Sequence, residues 1–144
     1  MKRFSQLICM LLVLSLVFVT PVSALDGSTW GSNYFSSILS YLHPTSSLQF
    51  QAWIEVEAVG LMEELGASSV TIQRSTDNSN WTNVRTFTKE SYPQLVGENK
   101  IGYENYVTFT GVSGNYYRAY VIFYAKRGNG TAEYEYTTES IYLS

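Results

Sequence analysis

Residues 48–58 read LQFQAWIEVEA, the clearest strand pattern in the chain. The even positions from Leu48 to Ala58 are all apolar, and the odd positions are glutamine or glutamate except for Trp53. Successive side chains of a β-strand point to opposite faces, so this alternation predicts one buried face and one exposed face. Trp53 falls on the exposed phase.

Comparable patterns recur through the rest of the chain after residue 24. Strands are predicted at residues 33–42, 48–58, 69–75, 81–88, 103–111, 116–126 and 131–136, with residues 141–143 finishing the last edge. About seven short strands separated by turn signals are typical of an antiparallel sandwich. We therefore expect an all-β, immunoglobulin- or fibronectin-III-like fold. Its predicted core is Phe50, Ile54, Val56, Val70, Ile72, Val107, Phe109, Tyr117, Val121 and Phe123.

The segment at residues 33–42 is ambiguous. Phe35, Ile38, Leu39 and Leu42 have the spacing of a helix face. Its tyrosine and serine content, and the glycine and proline that flank it, favour an extended segment. We predict the first strand here.

Three connections are predicted between these strands. Residues 76–80 (TDNSN) hold the aspartate and asparagines that tolerate turn geometry, so they should close a hairpin. Residues 62–67 contain two glutamates and Gly66, which suggests a single helical turn or a tight loop. Residues 89–102 carry Pro93, Gly97 and Gly102 and are predicted to be the longest loop.

Residues 1–24 have the three parts of a secretory signal peptide: Lys2 and Arg3, an apolar run at residues 7–19, and a small-residue end at Ala24. The run is shorter than the about 20 residues that a membrane-spanning helix needs. We expect cleavage after Ala24, release outside the cell, and a single domain at residues 25–144.

Loss of Lys2 and Arg3 with that segment changes the net charge from −3 to −5, and the single cysteine, Cys9, leaves too. An acidic surface argues against nucleic acid as a partner. One histidine, His43, and no cysteine cannot build a zinc site. We therefore expect no metal and no cofactor. We also expect no catalytic residues, because a serine nucleophile needs a general base that a third group holds in place, and a lone histidine does not supply that arrangement.

Aspartate and glutamate offer two weaker leads. Asp77, Asn78 and Asn80 could supply oxygen ligands to calcium, although an Asx turn explains them better. The chain has three glutamate pairs: Glu55/Glu57 and Glu133/Glu135, which are two residues apart, and the adjacent Glu63/Glu64. These pairs are more typical of solvated or edge-protecting side chains than of the two carboxyl groups of a hydrolase.

Aromatic side chains are the strongest functional signal. All 12 tyrosines and all three tryptophans follow residue 24. Strand phase places Trp53 and Tyr106 outward on one sheet, and Tyr120 and Tyr124 outward on the other. Such rings can stack on sugars or anchor a protein partner, because each supplies a large contact area with few rotors. Outward rings can also stabilise an exposed sheet by cross-strand pairing, without any ligand, and both interpretations stay open.

Two stretches carry a resemblance to known domains: SVTIQRSTDNSNWTNVRTF at residues 69–87 and YVTFTGVSGNYYRAYVIFYAKRGNGTAEYEY at residues 106–136. Both resemble the middle and end of a fibronectin type III or immunoglobulin-like domain. The chain also resembles small exported proteins of Gram-positive Firmicutes that form a domain family of unknown function. The pieces that carry this resemblance are LGASSV, the hairpin before Trp81, Tyr92-Pro93 and VIFYAK. The resemblance implies a sandwich fold and export from a bacterium, and no activity.

Two classes of function follow as expectations. The first is an exported, non-catalytic binding module with a glycan or surface-protein ligand, contacted through Trp53 and Tyr106 or through Tyr120 and Tyr124. The alternative is a secreted inhibitor or accessory factor of an extracellular enzyme, acting through a hairpin or the predicted loop at residues 89–102.

Overall fold

The computed structural model describes residues 33–144. The strands are β1 (Phe35–Pro44), β2 (Gln49–Ser75), β3 (Thr82–Thr88), β4 (Val96–Thr110), β5 (Asn115–Arg127), β6 (Gly130–Thr137) and β7 (Ile141–Leu143), and a 3-10 helix covers Pro93–Leu95. This confirms the predicted all-β, seven-stranded antiparallel fold. The predicted signal peptide and its cleavage after Ala24 lie outside the described residues. Within residues 33–144, no helix has the length and apolar character to cross a membrane.

The long strand β2 organises the fold. Its first half pairs with β1 on one side and β4 on the other, and its second half pairs with β3 and β5. The far side of β5 pairs with β6 and β7, which lie end to end. We call β1, β4 and the first half of β2 the front layer. The back layer consists of β3, β5, β6, β7 and the second half of β2.

The two layers enclose one core, so the continuous sheet folds into a sandwich-like arrangement. Phe50 and Phe109 of the front layer contact Tyr117 of the back layer, with ring centroids 5.4 and 5.8 Å apart. Nine of the ten predicted core residues are buried, and Phe109 is half-buried against them. The inward phase of β5 is buried along its whole predicted length, from Tyr117 to Ala125.

The predicted turn at residues 62–67 is wrong, because β2 runs through it without interruption. The pairing of β2 with β4 shifts register between Glu57 and Met62, and Met62 and Leu65 are fully buried. Gly66 has a packing role, since a Cβ atom there would overlap the backbone carbonyl of Leu95. A close approach of two backbones therefore explains the glycine that suggested a loop.

The predicted long loop at residues 89–102 is also wrong. Residues 96–102 belong to β4, and the 3-10 helix before them buries Leu95 completely. Gly97 lies beneath the ring of Tyr103, where a Cβ atom would collide with the aromatic carbons. The glycine again marks tight packing, and only residues 89–95 connect β3 to β4.

The ambiguous first segment is a strand, as predicted. Phe35 pairs with Ala58 and Ser37 with Glu57, so Ser36 is one extra residue that forms a β-bulge. The bulge inverts the strand phase and leaves Phe35 and Ile38 both buried. Their helix-like spacing is therefore produced by a bulged strand.

The turn between β2 and β3 is held by Asp77. Its carboxylate accepts hydrogen bonds from the backbone N–H groups of Ser79 and Asn80 and from the Ser75 hydroxyl. Asn78 adopts a left-handed conformation with φ of 58°. The hydrogen bond from the Ser79 N–H, two residues further on, to Oδ1 of Asp77 makes this an Asx turn. The Asn80 side-chain amide donates to Oδ2, so both carboxylate oxygens are hydrogen-bonded within the turn.

Candidate ligand-binding face

Three aromatic rings form a row across the outer surface of the front layer. Trp53 of β2 pairs with Tyr41 of β1 on one side and with Tyr106 of β4 on the other. The Trp53 and Tyr106 centroids are 4.7 Å apart, and Tyr41 is stacked nearly parallel to Trp53 at 6.3 Å. The row exists because all three residues occupy the outward phase of adjacent antiparallel strands. We call these three residues the aromatic row.

The tyrosines are the accessible ends of the aromatic row. Tyr41 is 37% exposed and Tyr106 is 40% exposed, whereas Trp53 between them is half-buried. Leu39, two residues from Tyr41 on the same face of β1, is also exposed. An apolar and aromatic surface therefore extends over neighbouring strands of the front layer.

Polar neighbours fix the orientation of two of the rings. The Tyr41 hydroxyl donates a hydrogen bond to Oε1 of Glu55 at 3.0 Å, and the Trp53 indole N–H donates to Oε1 of Gln51 at 3.0 Å. The hydrogen bond to Glu55 raises the pKa of Tyr41, with smaller contributions from desolvation and from the charges of Glu55 and Glu104. A ring held in place before binding loses little rotamer freedom when it meets a ligand.

A shallow acidic concavity lies beside the aromatic row. Glu55 and Glu104 are direct cross-strand partners, and Glu57 follows on the same face of β2. Together with Leu39 and Tyr103 they line a space of about 430 Å³. Both ion pairs found among residues 33–144 involve Glu64 in the back layer, so none of these three carboxylates is paired with a cation there. Oε1 of Glu55 already accepts the Tyr41 hydroxyl.

The structure brings Trp53 and Tyr106 together, and it adds Tyr41, which sequence reasoning missed. The bulge at Ser36 hid the outward phase of β1. After the bulge the exposed residues are Ser37, Leu39, Tyr41 and His43. Because Leu39 is exposed and Ser40 is buried, the apolar pattern of this segment gave little signal for Tyr41.

The second predicted pair, Tyr120 and Tyr124, is not an accessible patch. Tyr124 is only 8% exposed because Lys89 covers its ring, with Nζ 3.8 Å from the centroid. Tyr120 is half-buried, and its hydrogen bond to the Glu135 carboxylate raises its pKa. Both rings have the predicted outward phase, but Tyr124 is not exposed, because Lys89 of the connection after β3 lies over its ring.

The described residues contain no cluster of three or more histidine, cysteine or acidic side chains placed to hold a metal ion. His43 is exposed near the end of β1, where its cross-strand partner is Gln51. The front layer thus presents aromatic rings, carboxylates and a carboxamide, which are groups suited to stacking and hydrogen bonding.

No protein-family model matches the chain, and no curated protein sequence matches it. A solved structure with some similarity is a family 76 glycoside hydrolase from a bovine Bacteroides thetaiotaomicron strain, at 9% sequence identity and a TM-score of 0.32. The match covers 76% of this chain and 20% of that one, so this chain spans about a fifth of the length of that protein. Neither activity nor ligand follows from similarity at this level.

Proposed function

We propose that this protein is an exported, non-catalytic binding protein that holds a glycan on the outer surface of its front layer. The observation that carries the proposal is the aromatic row of Tyr41, Trp53 and Tyr106, presented on three adjacent strands with its tyrosine ends exposed. Neighbouring strands are about 4.8 Å apart, so the row extends roughly 10 Å, enough to contact about two consecutive sugar rings.

The groups beside the row favour a sugar over a purely apolar ligand. Carboxylates and carboxamides accept hydrogen bonds from sugar hydroxyls, and Glu55, Glu104 and Gln51 flank the rings on both sides. Aromatic carbons supply the apolar contact for the C–H faces of a sugar. A protein ligand is the competing outcome, because exposed tyrosines are also typical of protein hot spots.

The inhibitor alternative keeps one of its two candidate contact segments. Residues 76–81 form a short connection between β2 and β3, whereas residues 96–102 of the predicted loop lie within β4. The non-catalytic, exported character rests on the sequence patterns described above and stays part of the proposal.

The experiment is a glycan-array and pull-down screen with wild-type protein, followed by titration of each ligand found. Tyr41→Ala and Tyr106→Ala should each weaken binding by about 2 kcal/mol, roughly thirtyfold in affinity, as for a binding hot spot. Tyr142→Ala is the matched control. Tyr142 is a more exposed tyrosine that contacts another ring, Tyr116, at 4.9 Å on the back layer.

Melting temperatures of all three variants separate binding from stability. Lower melting temperatures with unchanged affinity in Tyr41→Ala and Tyr106→Ala would make the aromatic row a structural feature and overturn the proposal. Capture of a protein that loses binding in the same two variants, with no glycan bound, would replace the glycan by a protein ligand.

A further inference from the structure

Within residues 33–144, one edge of β1 is unpaired. β1 pairs with β2, and no other described strand pairs with its outer edge. Every second residue of such an edge directs its backbone N–H and C=O groups away from the sheet, ready to pair with another chain. The bulge at Ser36 and the proline at Pro44 bound a regular segment at residues 37–43.

Charge distinguishes β1 from the other long edge strands. Edges are commonly protected by charged side chains, and β3 carries Arg85, β4 carries Glu98, Lys100 and Glu104, and β6 carries Glu133 and Glu135. The ten residues of β1 contain no aspartate, glutamate, lysine or arginine. β1 is therefore the long edge with the lowest electrostatic barrier to pairing.

We propose that two copies of this protein associate by antiparallel pairing of β1 with β1, about a two-fold axis at Ser40. In this register Leu39 lies opposite Tyr41 of the second copy on the outer face. Ile38 lies opposite Leu42 of the second copy on the inner face. Each contact occurs twice by symmetry, joins apolar side chains and brings no like charges together.

The β6 edge illustrates why self-pairing selects β1. Glu133 and Glu135 are on the same face of β6, on either side of Tyr134. Antiparallel self-pairing centred between them would place Glu133 of each copy opposite Glu135 of the other. Like charges directly opposite each other destabilise a pair of strands, and here the repulsion would occur twice.

Pairing through β1 has a structural consequence beyond the proposed function. The two front layers would form one continuous six-stranded sheet, because each layer contributes β4, β2 and β1. A two-fold axis perpendicular to the sheet keeps both outer faces on the same side. The two aromatic rows would then lie on one surface, joined through Leu39 and Tyr41, and would offer two linked sites to a repeating ligand.

The test measures mass, without any ligand, so its outcome is independent of the glycan proposal. The full chain, expressed with residues 1–24 in place and purified, is examined by light scattering and sedimentation from micromolar to millimolar concentration. The expected result is a monomer–dimer equilibrium. A monomeric mass over the whole range would overturn the proposal.

Charge-pair variants test the register. The double variant Leu39→Lys with Tyr41→Lys places lysines opposite each other twice and should be monomeric, as should Leu39→Glu with Tyr41→Glu. An equimolar mixture should recover the dimer, because each lysine then faces a glutamate. Failure of the mixture to associate, or a lysine variant that remains dimeric, contradicts pairing through β1.

Matched controls guard against general effects of charge and misfolding. Val59 and Leu61 are more exposed apolar residues on β2, outside the β1 edge. Their joint replacement by lysine should leave the dimer intact, and loss of the dimer there would assign the contact to that surface instead. Melting curves and far-ultraviolet circular dichroism report whether each monomeric variant is folded.

Discussion

Lys89 lies against the ring of Tyr124, with Nζ 3.8 Å from the ring centroid. Oε2 of Glu64 accepts a hydrogen bond from the same Nζ at 3.2 Å, and Nζ of Lys126 is 3.4 Å from the other carboxylate oxygen. Partial burial opposes ionisation of Glu64, but the hydrogen bonds and charges of both lysines lower its pKa overall. This cluster fastens the connection between β3 and β4 to the back layer.

Replacing Lys89 by alanine should expose Tyr124 and lower the free energy of unfolding by about 1 kcal/mol. The change removes one cation–π contact and one partly exposed ion pair, each worth about 1 kcal/mol or less. Denaturant unfolding measures the stability, and nitration followed by mass spectrometry measures the accessibility of Tyr124. Lys100→Ala, at an exposed lysine on β4, should change stability by less than about 0.5 kcal/mol. Unchanged nitration of Tyr124 in Lys89→Ala would contradict the cover by Lys89.

The turn at Asp77 should make stability depend on pH in acid. Hydrogen bonds from the Asn80 backbone and side chain, the Ser79 backbone and the Ser75 hydroxyl hold the pKa of Asp77 far below its usual range. A lowered pKa in the folded state stabilises the protein above the unfolded-state pKa, near about 4. That contribution is lost as the pH falls from there through the folded-state pKa.

The comparison of wild type with Asp77→Ala measures this effect. Their difference in melting temperature should be largest near neutral pH and should shrink below about pH 4. Asn78→Gly, which keeps the carboxylate and suits the left-handed backbone at this position, should follow the pH profile of the wild type. Parallel melting profiles of wild type and Asp77→Ala across the acid range would show that Asp77 has an ordinary pKa.

Two isoleucines provide a matched test of the core. Ile54 is fully buried, whereas Ile101 on β4 is 57% exposed. Ile54→Ala should cost about 2–5 kcal/mol, because it loses burial and leaves a cavity. Ile101→Ala should change the unfolding free energy by less than about 0.5 kcal/mol. Equal effects of the two substitutions in chemical denaturation would disprove the assignment of Ile54 to the interior.

Gly66 should not tolerate a side chain. A Cβ atom would overlap the carbonyl of Leu95, so Gly66→Ala must displace the 3-10 helix and should cost about 1–3 kcal/mol, as overpacking does. Gly60→Ala is the control on the same strand, since its Cβ would make only an ordinary contact with Arg127 at 3.7 Å. Thermal unfolding of the two variants decides the point, and a Gly66→Ala protein as stable as Gly60→Ala would refute the close approach.

Local alternation of side chains was sufficient to predict most of the fold. The period of two in residues 48–58 and 116–126 depends only on the geometry of a strand, and it correctly identified buried residues such as Ile54 and Val121. The hairpin turn at Asp77 was equally predictable, because its hydrogen bonds are made within a few residues. The turn predicted around Gly66 and the loop predicted around Gly97 were wrong, because close packing, and not a turn, requires glycine at both positions.

The sequence alone determined the class of structure, the phases of its regular strands and the outward position of Trp53 and Tyr106, since these follow from neighbours along the chain. Only the tertiary structure decided which outward rings are accessible. Tyr124 has the correct phase, but Lys89, distant in sequence, covers it. Tyr41 joins the aromatic row because a bulge resets the phase of β1 and the pairing with β2 carries it to Trp53. Burial and cross-strand contact depend on which segments meet in space, and alternation within one segment does not encode that.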